Sequence, residues 1–176
     1  SSAASDVYKR QITGGVVLNP PTMLDEIQSL TDRDIQVKRN LKISDRAHVV
    51  MPWHLAEDRA LDQATQGDNN IGTTLRGIGP CYRDKVGRSY AIRLGDLYRP
   101  EFPERVREIV EVKQRVLVGI GDESEIASLN ADEIIRQYQG YAEQLKDLVC
   151  DTNTLLLDAA DCLLYTSDAA DDTTGV

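Results

Sequence analysis

The chain has 176 residues, of which 20 are basic and 29 acidic, for a formal net charge of −9, and 41% are hydrophobic. That is enough apolar material for one domain with a real core. The overall negative field disfavours a long polyanion such as nucleic acid, and no apolar run approaches the ~18 residues of a membrane span.

The ends need separate treatment before any element is read. Ser1–Gln11, SSAASDVYKRQ, back-translates as a transposon-end sequencing adapter. The reverse complement of that oligonucleotide, read from its second base, encodes CLLYTSDAAD, which is Cys162–Asp171. The two termini are thus read as inverted copies of one synthetic sequence, with Thr173–Val176 continuing it. Residues 1–11 and 162–176 are expected to be non-native, and 12–161 to be an internal fragment of a longer protein. Setting aside two basic and four acidic residues leaves 18 and 25, a net of −7. The cysteines left, Cys81 and Cys150, have no CxxC spacing, which argues for reduced thiols in a cytosol.

In chain order, Gly14-Gly15 reads as a turn and Val16–Leu18 as a short buried strand. Asn19-Pro20-Pro21 starts a helix whose face carries Met23, Ile27 and Leu30. Leu41–Ser44 reads as a second strand. A helix over Pro52–Gln66 places Trp53, Ala56, Ala60 and Ala64 near one side. Gly67–Pro80 lacks periodicity and reads as a loop. Pro80 starts a short helix over Cys81–Arg88, and Phe102, Val106, Ile109 and Val116 mark another. The last helix is expected to run unbroken from Asn130 through Ile134, Tyr138, Tyr141, Leu145, Leu148 and Thr152 to Leu155. Asn130 is its cap, and Glu133 stands where a capping-box acid would. The strands are few, short and apolar rather than alternating, as in an α/β sheet with both faces covered.

The chemistry concentrates in Ile71–Arg88, IGTTLRGIGPCYRDKVGR, which holds four glycines, two adjacent threonines, one lysine and three arginines. From Arg76 to Arg93, five basic residues oppose the single acid Asp84. Glycine lets backbone N–H groups approach a phosphate and the cations neutralise it, so this is an anion site on an acidic protein. Helical spacing puts Cys81, Lys85 and Arg88 on one face. It leaves two readings open: Lys85 and Arg88 converge on a ligand, or Asp84 pairs with Arg88 and the cations are solvated. Thr73 and Thr74 offer free hydroxyls to a phosphate, or form an ordinary turn. His48 and His54 are expected to pack or cap rather than bind metal, and Asp45 and Arg46 to form a local ion pair. Cys81, beside cations, is expected to have a lowered thiol pKa. Tyr138 and Tyr141 are spaced as core.

The segment Gly77–Arg88 resembles the second signature of the adenylosuccinate synthetases, G-I-G-P-x-Y-x-x-K-x-x-R, at every fixed position: Gly77, Ile78, Gly79, Pro80, Tyr82, Lys85 and Arg88. The stretches Gly15–Leu18, Ile43–His48, Ile71–Thr74 and Arg93–Leu97 are similar to family sequence as well. Leu75 departs from it, standing where many members have glycine. The resemblance implies an α/β fold with a P-loop-NTPase-like sheet, of which this portion is mostly helical with a few short strands. It implies a ligase of purine biosynthesis that joins IMP and L-aspartate with GTP hydrolysis and Mg2+, in the cytoplasm, as a homodimer, with no nucleic-acid or membrane partner. It further implies that Thr73 and Thr74 bind IMP, that Lys85 is the active-site lysine, and that Arg88 reaches the neighbouring subunit's IMP. The family's phosphate loop, catalytic aspartate and catalytic histidine belong upstream of Ile12, and its guanine-recognition segment downstream of Asp161. The fragment alone is therefore expected to be inactive and marginally stable. The alternative is a non-catalytic helical phosphate-binding or interaction module using the same basic loop.

Overall fold

A computed structural model describes residues 10–64, 74–120, 125–158 and 160, the side chains of Lys38 and Arg39 excepted. Strand β1 (Arg10–Ile12), β2 (Val17–Leu18) and helix α1 (Pro20–Thr31) come first, followed by α2 (Val37–Asn40), β3 (Leu41–Ser44) and β4 (His48–Val49). Helices α3 (Pro52–Ala64) and α4 (Ile78–Gly87) follow, then a 3-10 turn at Leu94–Tyr98 and the long α5 (Phe102–Ile120). Helix α6 (Ala131–Leu145) leads through a 3-10 turn at Lys146–Leu148 into β5 (Val149–Cys150). Residues 152–158 are helical again.

All the strand ladders are parallel: β1-β3-β5 form one sheet and β2-β4 a second. Parallel strands require crossovers, and burial here is greatest at Ile43-Ser44 of β3 and at β4, whereas β1 (Arg10-Gln11-Ile12) and β5 stay partly exposed and β3 carries Lys42, so the expected apolar character holds only in part. Ile43, at the centre of β3, is wholly buried. Helices α1, α5 and α6 join α3 around a core that includes Trp53, Met51, Phe102, Ile109, Leu117 and Leu145. The arrangement is an α/β one, mostly helical with few short strands, as the sequence implies.

The expected cap at Asn130 forms, and Asn19, expected only to start α1, caps that helix as well. Asn19 Oδ1 accepts the Thr22 N–H at 3.5 Å and Asn130 Oδ1 the Glu133 N–H at 3.1 Å, each satisfying a helix-start donor. The structure corrects the last helix. The 3.6-residue pattern continues through Leu148 and Thr152, yet the chain leaves α6 at Leu145, and Val149-Cys150 pair with Ile43-Ser44 instead. The β-branched Val149 fits the pleat, and an open strand edge on β3 outweighs a periodicity that a buried strand can share over a few residues. On α5, Val116 is half-exposed and Leu117 takes the core position. Helix α4 starts at Ile78, inside the stretch read as loop.

Candidate functional site

Helix α4 is locked at its N-terminus by a position that requires glycine. Gly77 sits at φ +69°, and a Cβ there would stand 3.0 Å from the backbone and Cβ of His54 and from the Leu55 nitrogen. Its N–H donates to buried Asp58 Oδ2 at 2.9 Å, and its carbonyl accepts the Cys81 N–H at 3.1 Å. Two residues earlier, Leu75 is held at φ +52°, a left-handed conformation that costs an L-residue with a side chain. The difference from the family pattern therefore falls at a residue whose backbone favours glycine. At the other end Arg88 adopts φ +63° as the C-cap, its N–H donating to the Asp84 carbonyl at 2.8 Å.

The inner face of α4 carries Cys81 and Asp84 into a closed charge network. Lys113 of α5 is 2% exposed and lies 2.9 Å from Glu57 Oε1 and 2.6 Å from Asp84 Oδ2. Its ammonium also stands 5.3 Å from the centre of the Tyr90 ring. Arg83 closes on Glu57 from the solvent side. His54 Nδ1 accepts the Met51 N–H at 2.9 Å, and Nε2 lies 3.0 Å from the Trp53 indole nitrogen and 3.1 Å from Asp84 Oδ2. Burial pushes the His54 pKa down, overcoming the carboxylate beside it. Burial alone would raise Asp84, but its hydrogen bonds with His54 and Lys113 hold it below the usual carboxylate range. Two carboxylates, Lys113 and Arg83 thus balance around a neutral imidazole.

Four local readings are corrected here. Burial drives the Cys81 thiol up to about 12 instead of down. Asp84 does not pair with Arg88, because it faces inward while Arg88 has left the helix. For the same reason Arg88 does not share a helical face with Cys81 and Lys85. Asp45 and Arg46 form no ion pair among the described residues. The histidine expectation fits the geometry, since His54 receives a donor at the start of α3. Among the described residues no group of three or more His, Cys, Asp or Glu is placed to hold a metal. Tyr138 is core, its hydroxyl donating to the Val50 carbonyl at 2.9 Å.

The outer face is different. Lys85 is half-buried, donates to the Gly15 carbonyl and lies 5.2 Å from the centre of the Tyr82 ring. Arg88 and Thr74 are exposed. Thr73 lies outside the described residues. Thr74 precedes the N-terminal end of α4 and Lys85 and Arg88 stand at its C-terminal end, so a helix of 10 residues, about 15 Å, intervenes. Ile78, Tyr82 and Val86, at i, i+4 and i+8, form an exposed apolar ridge along the same helix, with Val86 79% exposed. Next to Lys85, across the Gly14-Gly15 turn, opens a cleft of about 380 Å³.

Sequence reasoning missed Glu57, Asp58 and Lys113. The signal was present: Lys113 follows Val106 and Ile109 at core spacing, and Glu57 falls between Trp53 and Ala60 on the buried side of α3. A charge on an apolar stripe marks a buried pair.

Comparison with known proteins bears on most of the chain. The family model described as adenylosuccinate synthetase matches residues 1–162. The adenylosuccinate synthetase of Caldanaerobacter subterraneus subsp. tengcongensis is 43% identical over 151 residues, covering 85% of this chain and 34% of that protein. That of Lysinibacillus sphaericus is 40% identical over 151 residues with the same coverage. The chain therefore spans about a third of the length of these curated relatives. The structure of fully ligated adenylosuccinate synthetase from Plasmodium falciparum superposes with a TM-score of 0.73 at 22% identity, covering 87% of this chain and 34% of that one. At that identity the likeness establishes the fold.

Proposed function

The chain belongs to the adenylosuccinate synthetase family, and from that premise we propose that residues 12–161 are the central part of a GTP-dependent ligase joining IMP to L-aspartate, with residues 1–11 and 162–176 adapter-derived. Thr73 and Thr74 bind IMP, Lys85 supplies positive charge beside its phosphate, and Arg88 reaches the IMP of the neighbouring subunit of a homodimer. The observation that carries this reading is α4 itself. All seven fixed signature positions fall on it or its caps, with its inner face closed by buried charges and its cations turned outward. The separation of Thr74 from Arg88 along α4 supports different roles, one toward a subunit's own nucleotide and one toward its partner's. The uncovered ridge of Ile78, Tyr82 and Val86 supports a subunit contact on this same face.

In this reading the protein's contribution is positioning and charge neutralisation, which phosphorylation of the IMP 6-oxygen and its displacement by the aspartate amine both require. Lys85 is suited to that work, since its ammonium is tethered by the Gly15 carbonyl rather than neutralised by a carboxylate. The described residues do not fit Mg2+, so GTP and its metal are assigned to the remainder of the protein and no step is derived through them. We place the enzyme in the cytoplasm. Among the described residues Cys81 and Cys150 are free thiols, and no helix is long and apolar enough to cross a membrane.

The test uses the complete reading frame that contains this segment. Arg88→Leu is expected to raise the KM for IMP by about tenfold or more, the value of a charge-assisted phosphate contact. A KM within twofold of wild type, with the dimer intact, overturns the role of Arg88. The 176-residue chain alone is expected to form no adenylosuccinate from IMP, aspartate and GTP. Detectable product would refute the division of labour between this part and the rest.

A further inference from the structure

We propose that the cleft between the Thr13–Gly15 turn, the Asp45–Ala47 turn and Arg93 is a second oxyanion site, built to take a phosphate group. It stands apart from the family reading: Thr74, Lys85 and Arg88 can all fail to touch IMP and this cleft would still bind phosphate.

Four observations carry it. Arg46 and Arg93 line the cleft with Asn153, and neither guanidinium makes a hydrogen bond or ion pair with a described residue. Their backbones are nevertheless fixed, Arg46 N–H donating to Ser44 Oγ at 3.1 Å and Arg93 N–H to Asp96 Oδ2 at 2.9 Å. His48, also on the wall, is 8% exposed, and its Nδ1 is buried with no partner among the described residues. A buried polar atom without a partner is costly and calls for a ligand or water. Gly14 supplies bare backbone, because a Cβ there would meet the Arg46 Cβ at 3.0 Å and Ser44 Oγ at 3.4 Å.

Two of the acids nearby are already engaged, while Asp45 Oδ1, in the second turn, is buried with no partner among the described residues. Asp96 accepts from the Arg93 N–H and stands 3.5 Å from the Arg99 guanidinium, and Asp151 accepts from Thr154 Oγ1 and the Asn153 N–H. Burial, then Lys85 and Arg93, lower the His48 pKa, so the imidazole is neutral and can turn one N–H to a ligand. Two guanidiniums outside any ion pair among the described residues, with Lys85 behind Gly15 and against the one carboxylate of Asp151 that feels Arg46, favour a dianion over a single carboxylate, and their planar forks suit phosphate oxygens.

The chain holds two histidines, His48 and His54, so ring resonances of the 15N-labelled full chain report directly. Titrated with inorganic phosphate at constant ionic strength, His48 is expected to shift and saturate while His54, enclosed in its charge network, stays still. Arg46→Gln and Arg93→Gln, both at exposed side chains, should each weaken the response about tenfold. Succinate at equal concentration should leave His48 in place. A His48 signal that does not move, moves without saturating, or ignores both substitutions overturns the site. An equal response to succinate overturns its assignment to phosphate.

Discussion

The two faces of α4 treat charge in opposite ways. Inside, Asp84 and the neighbouring Glu57 are matched by Lys113, Arg83 and a neutral His54, so charges removed from water are answered within the chain. Outside, Lys85 meets a carbonyl and the Tyr82 ring, and Arg88, Arg46 and Arg93 form no ion pair among the described residues. Leaving a cation unmatched at the surface is cheap, whereas leaving one unmatched in the core is not. The inner network therefore reads as the support that fixes the helix, and the outer cations as the part reserved for a ligand.

The sharpest way to break this contrast is to unbalance the inside. Lys113→Met strands Glu57 and Asp84 together in the core, and removing one partner of a buried pair costs about 3–5 kcal/mol. A urea midpoint measured by circular dichroism should fall by that equivalent, or the cooperative transition should vanish. A loss below about 1 kcal/mol would mean that water already reaches these carboxylates. Adding Asp84→Asn should recover part of the loss, because one of the two stranded charges is gone.

Next in size is the hinge that aims the helix. Gly77→Ala should cost about 2 kcal/mol, combining the left-handed backbone with contact against His54. Two residues further along the same signature the surroundings are open: a Cβ added at Gly79 would meet nothing within 4 Å. There alanine should gain about 0.5–1 kcal/mol of helix propensity. In the completed enzyme the same Gly79→Ala should weaken IMP use if the open space belongs to a partner subunit or ligand. Equal stability changes at the two glycines would erase the distinction between inner support and outer site.

Acid should loosen the inside in two steps. His54 has a folded pKa below its ordinary value of about 6.5, so the unfolded chain binds the extra proton first. Stability is then highest above about pH 6.5 and declines as pH falls toward the folded pKa, by at most about 1.4 kcal/mol per pH unit for that one proton. Asp84, also lowered, contributes stability that is present above the ordinary carboxylate value of about 3.9 and lost as pH falls through its folded pKa. His54→Gln should shrink the first step, leaving the part that His48, also lowered, contributes, and leave the second. Melting temperature against pH checks both.

How much of this was legible beforehand follows the range of the forces involved. The helix start at Asn19, the cap at Asn130 and the strand Leu41–Ser44 rest on local chemistry and were readable. So were the seven signature positions, whose spacing is written in the chain. Strand β5 was not, because only the distant edge of β3 stops α6 from running on through Val149. The direction of Arg88 was hidden for a similar reason: no residue type announces that a non-glycine will take a left-handed cap. Cys81 was misread because adjacent cations in sequence point outward while the thiol points in, where burial decides its pKa.

The smallest expected effect tests the one departure from the signature's neighbourhood. Leu75 holds φ +52° with an exposed side chain, so its left-handed backbone is strained without much burial in return. Glycine removes a strain of about 1–2 kcal/mol but frees the unfolded chain by roughly 0.5–1 kcal/mol. Leu75→Gly should therefore stabilise the chain slightly, by about 0.5 kcal/mol, where a leucine-to-glycine change in a core would cost several. If thermal melts show a clear loss instead, the side chain is held by something beyond the backbone. Its position, three residues before the exposed ridge begins at Ile78, would then extend that ridge toward Thr74 and enlarge the surface available to a second subunit.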